Sequence, residues 1–323
     1  MANIRKQSDS PALEADRKKL AELESQYGEL LVDGGLAVAG AIPPPAGTVA
    51  DAAALGRSLY KLDWSGAALD ALGFIPVIGD GIKGGKIAAK VEKLAEAVSA
   101  AKTALTQKIF ATTRKNAEKY WKELIAKRKK EKLDKELSNC KDEKCKKLAR
   151  EKFENDKSMD AGRLPSSEKG SWVGSDGKPC PPGTGMYKPD PEKNKSLYEA
   201  VKRHGKEGVP FKDGHPDFSG FPPMKDGKPI ADASGKPYQV EIEMSSSRTR
   251  DFAASRAAYG EKYGEKFNME YERFGTWHHE PDGVNMTLVD KKVHTAFDDK
   301  ELGRPNGGTP HPGGDSMWRS GDF

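Results

Sequence analysis

The spacing of apolar positions divides the chain. Behind Pro11, Leu and Ala recur at helical spacing among mixed acids and bases, which predicts a helix over residues 11–32. Between residues 32 and 90 the apolar runs are short. Gly, the triplet Pro43-Pro44-Pro45 and the turn GFIPVIGD break them, so short apolar helices are expected, the last over about 81–100. From Ala101 to about Lys157 breakers are scarce, and Lys, Glu, Leu and Ala dominate. The apolar stripe there is thin (Leu105, Ile109, Tyr120, Leu124, Ile125, Leu133, Leu137), which predicts partly exposed helices with a turn at SNCKDEKC.

Near Asp160 the helical period stops. AGRLPSSEKGSWVGSDGKPCPPGTGMYKPDPEKN reads as a linker. SLYEAVKRHGKEG then predicts a short helix, and VPFKDGHPDFSGFPP a loop with aromatic anchors. YQVEIEM alternates as a strand does, and RTRDFAASRAAYGEKYGEK predicts one or two helices. FGTWHH and NMTLVD are expected as short strands around the turn EPDGV, with KKVHTAF opening a helix. The expected class is α+β. Its parts are a Gly/Ala-rich helical region over 1–100, a basic helical connector over 101–160 and a mixed domain over 161–323.

Charged residues make up 32% of the chain and the mean hydropathy is -0.75, which argues against one large core. MANIRKQSDSPALEADRKK has no apolar core, so no ordinary signal peptide is expected. Nor is there a run of about 18 apolar residues, so no stable membrane span is expected. Three cysteines exclude a four-cysteine zinc site. Cys140 and Cys145 could close a disulfide in an exported protein or remain two thiols; Cys180 lies in a Pro/Gly loop. The net charge of +5 is unevenly spread. Residues 102–164 carry 20 Lys/Arg against 11 Asp/Glu, and residues 239–323 carry 11 against 15. The basic stretch suits phosphate backbones, and equally a solvated arm laced with ion pairs.

Half of the six histidines fall in one window, GTWHHEPDGVNMTLVDKKVH. Adjacent strand residues point to opposite faces, so His278 and His279 can do different work. One imidazole can offer a neutral nitrogen to a divalent metal while another stays free to take a proton from water. A closed structural zinc site would use four protein ligands. The doublet with Asn285 fits three ligands, an open position and a free base. His204 and His215 are expected to be surface or structurally satisfied residues, although His215 has an alternative as a substrate contact.

Trp277-His278-His279, Asn285-Met286-Thr287-Leu288-Val289, His294 and the HPGG at His311–Gly314 together resemble the HNH/endonuclease VII superfamily. Within it they look like toxin nucleases with a Trp-His-His signature, which are similar to DNase colicins and pyocins. GSWVG, VPFKDGHPDFSGF and RTRDFAAS resemble the lead-in of such domains, and the likeness covers roughly residues 165–323. It implies a ββα-metal (His-Me finger) fold that cuts double-stranded DNA with one divalent ion, Zn2+, Mg2+ or similar. It implies His278 and His294 as metal ligands, with His311 as the third and Asp298 as its alternative. It further implies His279 as general base, and Asn285 holding the loop and orienting His279 by a hydrogen bond. Arg248 and Arg250 are candidate phosphate contacts. The same fold could instead cut RNA or serve without toxicity, and a structural zinc domain is the non-catalytic alternative.

DAAA and IPVIGD in the first half resemble pre-toxin modules of bacterial polymorphic toxins. That likeness implies a delivery or processing role with a chaperone or delivery partner, secretion by a specialised system and action in a target-cell cytoplasm, and the toxin-nuclease likeness implies a cognate immunity protein.

Overall fold

A computed structural model of the chain describes residues 11–39, 86–159, 164–245 and 247–296. It divides into two compact units, one running from Asp9 to Ile109 and the other taking the chain from Phe110. In the first unit lie α1 (Pro11–Ala39) and the opening turns of α2 (Lys86–Asn139). Lys102 pairs with Glu24 at 3.0 Å and Lys108 with Asp16 at 2.5 Å. Residues 40–85, with the predicted short helices and the IPVIGD stretch, lie outside the described residues. Helix α2 runs straight through the boundary expected at residue 100, because no Gly or Pro interrupts it. No described helix is long and apolar enough to cross a membrane.

In the second unit the rest of α2 is a mostly exposed helix. It carries ion pairs at i,i+4 such as Lys122–Glu118 and buries only Phe110, Ala117 and Trp121. Asp142 caps α3 (Glu143–Glu154), accepting from the Cys145 N–H at 2.7 Å. Of the two states open for Cys140 and Cys145, the structure holds the disulfide, which closes the turn between α2 and α3.

From Leu164 onward the stretch expected as a linker is folded. It contributes β1 (Gly170–Val173) and β2 (Gly185–Pro189), which join β3 (Val209–Lys212) and β4 (His215–Pro216) in an antiparallel sheet. Trp172 and Tyr187 face each other across β1 and β2, and both are buried. The Gly and Pro residues mark tight turns between strands rather than a tether. The predicted aromatic loop likewise contains the β3–β4 hairpin, with Phe218 and Phe221 buried just beyond it.

Helix α4 (Lys195–Lys202) packs Leu197, Ala200 and Val201 inward. A small hairpin, β5 (Met224–Lys225) and β6 (Lys228–Pro229), precedes β7 (Gln239–Glu241). Next come α5 (Arg248–Tyr263), closed by Gly264 in the left-handed conformation, and the single turn α6 (Tyr271–Phe274). Strand β8 (Gly275–His279) and strand β9 (Asn285–Asp290) follow across a turn, and helix α7 (Lys291–Ala296) continues directly from β9. The sheet order is β7-β9-β8, all antiparallel. Strand, turn, strand and helix are thus in the expected order.

The β8–β9 hairpin lies between two cores. Trp277, Met286 and Leu288 enter one with Val240, Tyr259 and Phe267. Val289, Val293 and Ala296 enter the other with Leu197, Phe218 and Phe221.

Candidate active site

The hairpin is fixed at both ends. At Gly275 a Cβ would come within 2.5 Å of the Pro223 ring, so only glycine lets β8 start there. At the turn Gly283 has φ +74. Asp282 Oδ1 accepts the N–H groups of Val284 (2.9 Å) and Asn285 (2.8 Å), and its Oδ2 accepts the Asn285 side-chain amide at 2.5 Å. Helix α2 clamps the turn. The Trp121 indole N–H donates to the Pro281 carbonyl at 2.7 Å, and Arg114 reaches both Asp282 and Glu241.

His278 is paired across the strands with Thr287 and is 2% exposed. Its Nδ1 lies 3.3 Å from Nε2 of His294, and both rings pack on Phe218. Burial pushes His294 down to about 3, helped by the nearby charge of Arg248. His294 is therefore neutral at pH 7, the form in which imidazole binds a metal.

Asp290 sets the direction of the described turns of α7. Its Oδ1 accepts the Lys292 and Val293 N–H groups, while Oδ2 accepts from Arg203 at 2.7 Å and meets His204 Nε2 at 3.2 Å. His204 thus serves the frame. So does His215, which is buried edge-on against Trp121.

The chemistry of this donor pair fits a divalent ion. Two nitrogens bound to one tetrahedral zinc at about 2.0–2.1 Å would stand about 3.3 Å apart, the separation found here. Among the described residues no group of three or more His, Cys, Asp or Glu gathers around a metal position. The expected third ligand, His311, and its alternative, Asp298, both lie outside the described residues.

His279 faces the other core. Its Nε2 is 3.0 Å from Oδ2 of Asp251, on the first turn of α5, and the two side chains are 6% and 1% exposed. The hydrogen bond expected from Asn285 to His279 is not made. Asn285 holds the turn through Asp282, and Asp251 is what engages His279. The reason is the strand alternation: His279 points toward α5, while Asn285 sits at the mouth of the turn and closes on its neighbour.

Glu280 was also not anticipated. Burial raises its carboxyl to about 7 against the lowering effect of the Thr287 hydroxyl, which donates to it at 2.6 Å; Asp282 and Asp217 raise it further. Arg248 and Arg250 are exposed on the first turn of α5, with the Arg248 guanidinium 5.0 Å over the Phe252 ring. Trp277 is 1% exposed in the α5-side core, where it packs against Phe267. One sequence signal bore on Asp251: an acid in the first turn of a helix. That is a common stabilising placement and carries no hint of a partner 28 residues on.

A family model described as a nuclease of the HNH/ENDO VII superfamily with conserved WHH matches residues 275–321. No curated protein and no solved structure matches the chain. The matched segment begins on the first residue of β8 and takes in the whole hairpin and α7. The match implies a nuclease of the HNH/endonuclease VII type, a class that generally uses a divalent metal.

Proposed function

We propose that the chain is a metal-dependent DNA endonuclease that acts as an exported antibacterial toxin. The observation that carries the nuclease chemistry is the placement of the adjacent histidines. Within the matched segment, His278 meets the neutral His294 nitrogen to nitrogen, and His279 stands apart as a separate imidazole. His278, His294 and His311 or Asp298 would hold the ion. When bound, it supplies positive charge to stabilise the phosphate in the transition state. His279 takes the proton of the attacking water. The water oxygen bonds to phosphorus as the bond to the 3′ oxygen breaks. The electron pair leaves on that oxygen, which solvent protonates. Arg248 and Arg250, exposed beside the site, are suited to phosphate oxygens of a DNA backbone.

The toxin role rests on the likeness of the first half to pre-toxin modules. It carries with it release by a specialised secretion system, a chaperone or delivery partner, action in the target-cell cytoplasm and a cognate immunity protein. Residues 1–100 would be the trafficking part, 101–160 a connector and 161–323 the nuclease.

The test is nicking of supercoiled plasmid by the full-length protein with Mg2+, Mn2+ or Zn2+, beside EDTA and His279→Ala controls. Metal-dependent nicking lost in His279→Ala is the expected result. Cleavage of RNA alone would replace DNA with RNA. Tight metal binding without cleavage of either would leave a structural zinc domain.

A further inference from the structure

We propose that Asp251 is the positioning residue that makes His279 a base through its Nδ1 nitrogen. This rests on the nuclease reading above. Asp251 sits on α5, which ends before the matched segment begins. A buried carboxylate at 3.0 Å from Nε2 can only accept, so Nε2 carries the hydrogen. The lone pair of the neutral ring is then on Nδ1, and that nitrogen receives the proton from water. The imidazolium that forms stays paired with the carboxylate until it returns its proton to solvent.

Asp251 is itself fixed from several sides. Its Oδ1 accepts the Ser245 N–H at 2.8 Å and the Ser245 hydroxyl at 2.7 Å. Its backbone N–H donates to Ser247 at 2.9 Å, and its carbonyl accepts the Ser255 hydroxyl at 2.7 Å. The side chain cannot rotate without losing both Ser245 bonds, so Oδ2 is left for His279. Phe252, one residue on, lies tilted at 6.1 Å beside the imidazole and limits its swing.

The two Ser245 donors make Asp251→Asn a sharp probe. The amide oxygen stays on Ser245, which places the amide NH2 against Nε2 of His279. Nε2 must then offer its lone pair, and the hydrogen moves to Nδ1. In full-length Asp251→Asn, kcat for plasmid nicking should fall by about 10²–10⁴-fold with KM within about twofold, as expected when a base is held in the wrong tautomer. Asp251→Glu should recover part of the loss. Long-range proton–nitrogen spectra of EDTA-treated, histidine-labelled protein should show neutral His279 as Nε2–H in wild type and as Nδ1–H in Asp251→Asn.

A kcat within threefold of wild type in Asp251→Asn, or an unchanged tautomer, overturns the proposal. If Asp251→Asn fails to fold, the wild-type spectrum still decides, because an Nδ1–H His279 there overturns it too. A wild-type protein that cuts neither DNA nor RNA sinks the nuclease reading and the base role with it. The spectra would then still read the Asp251–His279 bond on its own.

Discussion

His278 and His279 are neighbours in sequence and strangers in environment. His278 looks across to the neutral imidazole of His294 and the ring of Phe218. His279 looks across to the carboxylate of Asp251, on a different helix and against a different core. Residue type is the same, burial is nearly the same, and the backbone is one strand. What separates them is the partner each face supplies. In the function proposed above, the nitrogen facing another nitrogen would share a cation. A nitrogen facing a carboxylate is arranged to hold a hydrogen in one place.

The largest effect that could break this contrast is on cleavage. His279→Ala should lower the nicking rate by about 10²–10⁴-fold while metal affinity, read by calorimetry, stays near wild type. His294→Ala should lose both, and equal metal loss in the two variants would erase the distinction. Next, Trp277→Ala empties the α5-side core beneath His279. It should cost about 3–5 kcal/mol in urea unfolding, with a loss well below that pointing to a pocket that collapses.

Reduction of Cys140–Cys145 touches neither face. The disulfide closes a loop with a sequence separation of 5, so its loss should cost about 2 kcal/mol of stability around α2 and α3. Nicking should be unchanged, and a drop in rate would tie the helical arm to the site.

In the wild-type protein the smallest net effect is in pH, because two opposed groups offset each other. His294 stays neutral in the folded protein down to about 3 and in the unfolded chain only to 6.5, so stability falls as pH falls through that window. Glu280 keeps its proton up to about 7 when folded and to 4.5 when unfolded, so stability is lost as pH rises through its own window. Between 4.5 and 6.5 the two oppose each other. Glu280→Gln should uncover the His294 slope, roughly 1 kcal/mol per pH unit, in urea midpoints taken from pH 4 to 7 in EDTA. A flat profile in that variant would mean His294 is not held neutral.

The hairpin was legible because its signals are local. Alternation wrote β8 and β9, Asp282 and Gly283 wrote the turn, and three histidines within one short window drew attention to it. Asp251 was not legible, since nothing along the chain says that the first turn of α5 lands on β8. Asn285 misled for the same reason: its nearest acceptor, Asp282, was close enough to take its side chain. The segment before β3 misled differently. Its Gly and Pro content is that of a tether, and only the pairing of Trp172 with Tyr187 turns it into sheet. Helix α2 was cut in the wrong place, because a change of composition near residue 100 is no obstacle to a helix that meets no breaker.

Asp290 gives the hairpin its last lesson. It is the final residue of β9, yet two of its bonds go to Arg203 and His204, at the far end of α4. Asp290 also accepts the first N–H groups of α7, so those distant bonds aim His294. Lifted out as a cassette and spliced into another scaffold, residues 275–321 would bring their histidines but leave their aim behind.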